Sequence, residues 1–469
     1  MIAREAAPAS FRHPYAIVLI LVSALAAWIG LGSLHDLQHA DSLLTVLIST
    51  QRWTPFYWGQ DRFGMLVPLL AMPLRHPLAN LLAQGWLMST AALLAPFVMA
   101  RFLTGRAGAW MATGACANVL LLAIATPDVR FDWLVAQPYG LSVTLGFAGL
   151  IAADDHDGIG HLLGAFVVLA LACWVNVGIV VLLTIAAAVR GARRIRLFAL
   201  VSAATAVASL VEVYGASGHT ITALAQPWQW PNGWRQLLTG SVGITAHPAA
   251  LAGVAAGVAA AIIWLATTRR LPPWKVTAAI VAMAVTSWLV VGTSLWVGMN
   301  HYVFRYMYPT LMVAGIGAST VFAALFARHT RALSLAALAA LAALLIAEYG
   351  TPSIGRVNRG VDDRLGMRTA AVLRSGATVI GGDYWRVWPA VFHANLAQAR
   401  ARSGAQVFGL AFRSDATDAL WKRTGQQVLV AGLPDDRSVA AVAGEHGVAV
   451  TLLAHRPDID LYAGRPSPP

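Results

Sequence analysis

The stretch LHDLQHADSLLTVLISTQRWTPFYWGQDRFGMLVP, residues 34–68, follows directly on the first long apolar segment of the chain. It carries both charged and aromatic side chains: Asp36, His39, Asp41, Arg52, Asp61 and Arg62 stand among Trp53, Phe56, Tyr57, Trp58 and Phe63. Solvated linkers are often charged, but aromatic residues in such numbers are typical of a membrane–water interface. The stretch therefore predicts a folded element that lies on a bilayer surface.

The composition of the whole chain places it in a membrane. Of its 469 residues, 58% are hydrophobic and 12% are charged, against about 25% charged in a soluble protein. The apolar run 15–34 lacks the features of a cleavable signal and predicts a first transmembrane helix. Cys116 and Cys173 lie in apolar segments, so they indicate core residues rather than a disulfide framework or a metal site.

The formal net charge of +12 is explained by topology and does not indicate nucleic-acid binding. The basic residues cluster in short loops at alternate segment ends, which marks those loops as cytoplasmic. These residues are Arg4, Arg12, Arg101, Arg106, Arg190, Arg193, Arg194, Arg196, Arg269, Arg270, Lys275, Arg328 and Arg331.

Apolar segments recur along the first three quarters of the chain. A helix needs about 20 apolar residues to cross the hydrocarbon core, and we expect about eleven such segments on this basis. They are 14–34, 78–103, 107–126, 137–153, 161–175, 177–189, 196–215, 248–268, 276–298, 306–326 and 332–348. The sequence thus predicts an all-α, multi-pass protein of the inner (plasma) membrane over residues 1–349, with two short helices broken near Asn176.

Three segments fall on the outer side in this topology. The loop 35–77 contains two amphipathic stretches, DSLLTVLIST and RWTPFYWGQDRF. The other two are the short segment 126–138 and the Pro/Trp-rich loop 216–247. After residue 349 the apolar runs end, and short strand patterns alternate with helical ones. Residues 350–469 therefore predict a small α/β domain outside the membrane.

Five acidic residues are candidates for catalysis at the outer surface. A carboxylate at an interface ringed by aromatic residues can act as a general base. Asp41 is the first choice, and Asp36, Asp61, Asp128 and Asp132 are the others. Each has a structural alternative: Asp36 or Asp41 could cap the helix SLLTVLIST, Asp61 could pair within the turn GQDRFG, and four-spaced acids in a short loop are common.

Candidate substrate-binding residues lie in the same outer regions. In HYVFRYMYP, residues 301–309, His301, Arg305 and Tyr306 could contact an anionic headgroup, because arginine donates several hydrogen bonds to phosphate. Arg62 and Trp58 are the candidates from the first loop. The alternative for Arg305 is a side chain that simply reaches the interface.

The overall pattern resembles the integral-membrane glycosyltransferases of the C superfamily, which include protein O-mannosyltransferases and aminoarabinose transferases. The resemblance rests on a first helix followed by a large outer loop with an early aspartate, on FRYMYP, residues 304–309, and on GGDYWRVWPAVF, residues 381–392. It implies transfer of a sugar from a polyprenyl-phosphate donor to a glycan, lipid or protein acceptor. Asp41 would deprotonate the acceptor, Arg305 would stabilise the leaving phosphate, and the aromatic residues 53–58 would contact lipid and sugar.

Other functions remain open at the level of the sequence. A lipid or solute transporter would need polar residues near the membrane midplane. The main charged side chain within the apolar segments is Glu212, which lies near the outer end of segment 196–215. A non-catalytic scaffold that binds a partner through the outer domain is a third possibility. Several carboxylates could hold Mg²⁺ or Mn²⁺, but their spacing does not require a metal.

Overall fold

The computed structural model describes residues 12–36, 39–61, 63–105, 109–190, 193–216, 224–240, 248–268, 272–351, 353–424, 427–433 and 439–466. Helices fill most of the chain up to residue 349. They are α1 Arg12–Asp36, α2 Ala40–Thr50, α3 Leu66–Ala71, α4 Pro77–Thr104, α5 Ala109–Ile124, α6 Pro127–Phe131, α7 Tyr139–Asp155, α8 Ile159–Val175, α9 Ile179–Ala188, α10 Arg194–Gly215, α11 Trp230–Gly240, α12 Pro248–Thr267, α13 Trp274–Thr293, α14 Leu295–Met299, α15 Tyr308–Leu325 and α16 Thr330–Tyr349.

An apolar helix occurs at each of the predicted positions, but not all of these helices are long enough to be assigned as spans. Among the described residues, five helices are long and apolar enough to cross a membrane, or six if the bent pair Pro127–Ala136 and Tyr139–Asp155 forms one span. The predicted number of about eleven is therefore not confirmed. These helices agree with the prediction of a multi-pass membrane protein.

The predicted break near Asn176 is present. Helix α8 ends at Val175 and α9 begins at Ile179. The Asn176 side chain accepts a hydrogen bond from the backbone N–H of Gly178 at 3.1 Å, which replaces a helical bond at the turn.

The first outer loop folds inward, which differs from the prediction. The stretch DSLLTVLIST does form a helix, α2, but most of its residues are buried. The second stretch is not helical, and Phe56, Tyr57, Trp58 and Phe63 are buried inside the protein. The expectation that these aromatic residues lie on the bilayer is wrong, because they pack inside the protein, with Trp58 against Trp388 and Phe63 against Tyr139.

The loop is fixed to the membrane helices by buried polar groups. Asn80 of α4 donates to Ser49 Oγ at 2.8 Å and to the carbonyl groups of Ala71 and Leu74 at 2.9 and 3.0 Å. A buried amide is costly unless its hydrogen bonds are made. Asn80 therefore holds α2 and the end of α3 in one position beneath the outer surface.

The C-terminal region contains the predicted mixture of helices and strands. Its elements are α17 Ile354–Ser375, β1 Val379–Gly381, α18 Tyr384–Arg400, β2 Phe408–Leu410, α19 Asp415–Thr424, β3 Val428–Gly432, α20 Val439–Glu445, β4 Val448–His455 and β5 Asp460–Pro466. The strand order is β2-β1-β3-β5-β4, with β1 parallel to both neighbours and β5 antiparallel to β3 and β4. The strand patterns ATVIGG, AQVFGLAF, QQVLVAGL, VAVTLLAH and IDLYAG correspond to β1–β5, and the helical patterns MRTAAVLRSG and DDRSVAAVAGEHG correspond to α17 and α20. Helices α18 and α19 were not predicted.

The C-terminal region packs directly on the first outer loop. Trp58 and Trp388 meet edge to face with their ring centroids 5.8 Å apart. Gln51 Nε2 donates to the Val407 carbonyl at 2.8 Å, and Arg52 Nη1 donates to the Asp415 carbonyl at 2.8 Å. The loop is thus enclosed between the membrane helices on one side and α18 with β2 on the other.

Candidate active site

Asp41 occupies the first turn of α2, where the loop meets both halves of the protein. The residue at the N-cap position is His39, and its side chain makes no capping hydrogen bond. Asp41 is buried, so capping does not explain it. The positive end of the helix dipole favours a carboxylate at this position.

Two arginines from distant parts of the chain pair with the Asp41 carboxylate. Arg305 lies just before α15, and its Nη1 is 3.3 Å from Asp41 Oδ2. Arg413 follows β2 in the C-terminal region, and its Nη1 is 3.5 Å from Asp41 Oδ1. The side chains of Arg305 and Arg413 are 13% and 9% exposed. Such shielded ion pairs are screened far less by salt than surface pairs.

Two tyrosines complete the shell around Asp41. The Tyr384 hydroxyl donates to Asp41 Oδ1, and Arg413 Nη1 donates to the Tyr384 oxygen at 2.9 Å. The Tyr57 hydroxyl donates to the backbone carbonyl of Asp41 at 2.8 Å. The Arg413 guanidinium lies 4.7 Å from the Tyr57 ring centroid and 4.9 Å from that of Tyr384. These cation–π contacts hold the arginine against the carboxylate.

Arg413 adopts a backbone conformation that is uncommon for a residue with a side chain. Its φ angle is 77°. A non-glycine residue in this region is strained and persists only when the surrounding contacts fix it, which happens most often at functional sites. The contacts that fix Arg413 are those to Asp41, Tyr57 and Tyr384.

Electrostatics keep Asp41 ionised. Burial disfavours its charged form and by itself would raise the pKa of Asp41. The neighbouring groups outweigh burial and hold the pKa of Asp41 below its ordinary value; in decreasing order they are Arg413, His39, Arg305 and the Tyr384 hydroxyl. Burial and the Asp41 charge raise the pKa of Tyr384, so this hydroxyl stays protonated and can donate.

Arg305 has its own supporting contacts. Its Nη2 donates to the Tyr306 hydroxyl at 3.4 Å, and Trp296 Nε1 donates to the same oxygen at 2.9 Å. Asp132 is buried and close enough to interact electrostatically with both Arg305 and Asp41. Gln137, at the end of the same outer segment, donates from Nε2 to Asp41 Oδ2 at 3.5 Å. The second outer segment therefore contributes to the site.

The other predicted site residues lie at the edge of the site or away from it. Asp128 is exposed but close enough to His39 and Asp132 to interact with both electrostatically, and His301 is exposed. Asp61 is buried but lines a different cavity, beside Glu212. Trp58 is fully buried and donates to the Arg52 carbonyl at 3.0 Å, so it has no face open to a ligand.

Two predicted residues cannot be placed in the site. Asp36 is the last residue of α1, and its side chain is outside the described part of the structure. Arg62 also lies outside the described residues.

Within the described part of the chain, no group of three or more His, Cys, Asp or Glu residues could hold a metal ion.

Tyr384 and Arg413 are the residues that sequence reasoning missed. Tyr384 stands in the element GGDYWRVWPAVF, which resembles a family feature, but nothing in the sequence indicated that it would contact Asp41. Arg413 follows a short strand and carries no motif. Both contacts join residues more than 300 positions apart in the chain.

Two cavities lie next to Asp41 and the residues that contact it. A small cleft of about 50 Å³ lies between α2, α4 and the segment before α7, and Asp41 and Arg413 are in its wall. An apolar groove of about 550 Å³ runs between α5, α12 and α15, and one end of it is formed by Val129, Trp133 and Tyr308. Tyr308 follows Arg305 closely in the chain, so the cationic site lies near this end of the groove.

Neither a protein-family model nor a curated protein sequence matches the chain. The solved structures that are similar to it include two of ArnT from Cupriavidus metallidurans. The form bound to undecaprenyl phosphate has 15% sequence identity and a TM-score of 0.50, and the apo form has 12% identity and a TM-score of 0.51. Each comparison covers 96% of this chain and 98% of the ArnT chain.

The chain has the fold of these two ArnT structures. The resemblance predicted from the sequence is thereby confirmed at the level of the fold. The ArnT-like fold includes the C-terminal region, since almost the whole of each chain is covered.

The pairing of Asp41 with two arginines leads to a prediction about the stability of the protein. Replacing Arg413 by Gln should destabilise the protein at neutral pH by about 1.5–3 kcal/mol, because it removes one of the two arginines paired with the buried Asp41 carboxylate. A carboxyl whose pKa is lowered on folding stabilises the fold above its unfolded pKa of about 3.9 and loses that contribution as the pH falls. The difference in Tm between Arg413→Gln and wild type should therefore be large at neutral pH and should shrink as the pH falls below about 4, towards the lowered folded pKa of Asp41.

Arg402 provides the matched control for this measurement. It is also an arginine at positive φ in the C-terminal region, with φ 52°, but it is exposed. Arg402→Gln should leave the Tm unchanged at both pH values. An Arg413→Gln defect of equal size at both pH values would mean that Arg413 acts through packing and not through charge.

Proposed function

We propose that the protein transfers a sugar from a polyprenyl-phosphate donor to a hydroxyl-bearing acceptor at the outer face of the cytoplasmic membrane. The observation that carries this proposal is the Asp41 carboxylate held between Arg305 and Arg413, beside both a small cleft and an apolar groove. A lipid-linked sugar has matching parts: a charged phosphate, a polar sugar and an apolar tail.

The donor phosphate is proposed to bind to the two arginines. Guanidinium groups donate several hydrogen bonds in a planar fork that suits phosphate oxygens. The groove that begins at Trp133 and Tyr308 offers an apolar path for the tail within the membrane. The similar ArnT structure bound to undecaprenyl phosphate supports a donor of this chemical class.

Binding of the phosphate would also activate Asp41. With both arginines paired to it, the carboxylate is a weak base, since its pKa lies below the ordinary value. A phosphate that takes over hydrogen bonds from Arg305 and Arg413 removes this stabilisation, and the pKa of Asp41 rises. The base then becomes effective when the donor is in place.

The transfer step follows from this arrangement. Asp41 accepts the proton of the acceptor hydroxyl, and the acceptor oxygen forms a bond to the anomeric carbon. The bond between that carbon and the phosphate oxygen breaks, and its electron pair remains on the phosphate. Arg305 and Arg413 stabilise the negative charge that develops there. Tyr306 and Asp132 are proposed to orient Arg305.

The sidedness of the site is part of this proposal, because the basic loops mark the opposite side as cytoplasmic. A cysteine introduced at Ser375, in a Cys116→Ala, Cys173→Ala background, should react with a membrane-impermeant maleimide from the outer side of intact cells. Reaction only after the inner side has been exposed would place the site in the cytoplasm.

The role of Arg305 can be tested against an arginine at the other end of the same helix. Arg305→Ala should weaken binding of a polyprenyl-phosphate sugar by about ten- to a hundredfold, because a charged hydrogen bond is worth about 1.5–3 kcal/mol. Arg328 is exposed after the end of α15, and Arg328→Ala should bind the donor as wild type does. Equal losses for the two variants would assign the effect to folding.

The role of Asp41 requires a pair of variants. Asp41→Asn should lower the transfer rate by about 10²–10⁴-fold, but it also leaves two shielded arginines without their carboxylate. The double variant Asp41→Asn/Arg413→Gln removes one of these charges and should recover much of the lost Tm while transfer remains absent. Substantial transfer by a folded double variant would exclude Asp41 as the base. Asp128→Asn, which alters an exposed acid of the neighbouring outer segment, should be close to wild type.

A further inference from the structure

Arg413 lies in a turn between β2 and α19 that is closed by one serine side chain. The backbone N–H of Ala411 donates to Ser414 Oγ at 3.0 Å, and the Ser414 hydroxyl donates to the Ala411 carbonyl. The Ser414 carbonyl in turn accepts hydrogen bonds from the backbone N–H groups of Thr417 and Asp418 at 2.8 and 2.9 Å, at the start of α19. Ser414 is buried. The backbone of Arg413, with its φ angle of 77°, therefore depends on the position of Ser414.

A histidine from another element of the C-terminal region contacts the same serine. His446 follows directly after α20 and is half-buried. Its Nε2 atom is 3.5 Å from Ser414 Oγ, and its Nδ1 atom is 3.7 Å from Asp418 Oδ1. His446 thus connects the end of α20 both to the turn that carries Arg413 and to α19.

The hydrogen-bond partners of His446 suit its protonated form. Because the one hydroxyl proton of Ser414 is donated to the Ala411 carbonyl, Ser414 Oγ can only accept from His446. The Asp418 carboxylate can likewise only accept. A neutral imidazole has one N–H and can satisfy one of these acceptors, whereas an imidazolium has two and can satisfy both.

The charged groups around His446 favour the same form. The hydrogen bond to Asp418 raises the pKa of His446 above its ordinary value, and burial opposes this. The Asp418 charge, the Ala411 carbonyl and the Glu445 charge add to the rise. Lys422 of α19 lines the same small cavity but is exposed to water. The folded protein therefore binds the His446 proton more tightly than the unfolded chain does.

We propose that protonated His446 is a positioning residue for Arg413. It supports the turn from the side of α20, and loss of its proton leaves one of its two acceptors without a donor. The strained Arg413 backbone then loses part of the support that holds its guanidinium against Asp41. The effect of His446 on donor binding rests on the proposed function, whereas its effect on the stability of the turn does not.

The test uses the purified full-length protein and a short-chain polyprenyl methyl phosphate, a phosphodiester whose charge stays constant between about pH 6 and pH 9. The wild type should bind this probe about three- to tenfold more tightly near pH 6, which is part of the effect of a charged hydrogen bond. His446→Gln, which stays neutral, should lose this advantage near pH 6 and match the wild type near pH 9. A ratio of the two affinities that does not change with pH would overturn the proposal.

A second comparison tests whether His446 acts through Arg413. In an Arg413→Gln background, the further change His446→Gln should not weaken probe binding, because no guanidinium is left to position. An equal loss in both backgrounds would show that His446 affects the site by another route, and the proposal would be wrong. His455 is the matched control, since it also pairs with an aspartate, Asp460, but is exposed. His455→Gln should bind the probe as the wild type does at each pH.

Asp418→Asn keeps the test decisive if His446→Gln does not fold. This variant retains His446 but removes the carboxylate that favours its protonated form. The pH at which probe binding weakens should therefore be lower in Asp418→Asn than in the wild type. The same midpoint in both proteins would mean that His446 does not cause the pH dependence.

Thermal stability separates this proposal from the proposed function. A group whose pKa is raised on folding stabilises the fold below its unfolded pKa, about 6.5 for histidine, and this contribution is lost as the pH rises through the folded pKa. The difference in Tm between wild type and His446→Gln should therefore be largest near pH 6 and shrink towards pH 9. If this pattern is present but the wild type does not bind the probe at any pH, the proposed phosphate binding fails while the support of the turn by His446 stands. A Tm difference of equal size at both pH values would exclude the role of the His446 proton, whether or not the probe binds.

Discussion

A carboxylate that is shielded from water has to be paired, and the pairing of Asp41 constrains the rest of this protein. One of its arginines comes from the membrane helices and the other from the C-terminal region. Separating the two halves would remove Arg413 from Asp41, which would keep Arg305 as its arginine, and would leave Arg413 without its carboxylate. The C-terminal region is thus part of the catalytic site that we propose, and not only a cover over it.

This constraint also explains the aromatic residues of the first outer loop. The loop lies between two packed surfaces, so its large side chains fill the space that a solvated linker would leave open. Trp58 contacts Trp388 of the C-terminal region, and Tyr57 contacts both Asp41 and the Arg413 guanidinium. The charges and aromatic residues occur together in one stretch because the same loop carries the site and joins the halves.

The sequence was sufficient to predict what depends on local patterns. Apolar periodicity placed the helices and strands, and the charged outer segments indicated Asp41 and Arg305. Sequence patterns could not show whether Trp58 faces lipid or protein, because an aromatic residue suits either surface. The roles of Tyr384 and Arg413 could not be predicted for a different reason. Their contacts with Asp41 form when separate regions of the chain pack together, and the spacing of residues along the chain does not indicate this packing.

The paired state of Asp41 gives the proposed reaction an order. Without the donor, the carboxylate is neutralised by two arginines and is too weak a base to activate an acceptor or a water molecule. The donor phosphate that releases the carboxylate also brings the anomeric carbon to it, so the base becomes active only where there is a carbon to attack. The ion pairs keep the buried Asp41 carboxylate stable in the absence of substrate. When the phosphate replaces Asp41 as the partner of the arginines, the new phosphate–arginine contacts offset the loss of these ion pairs.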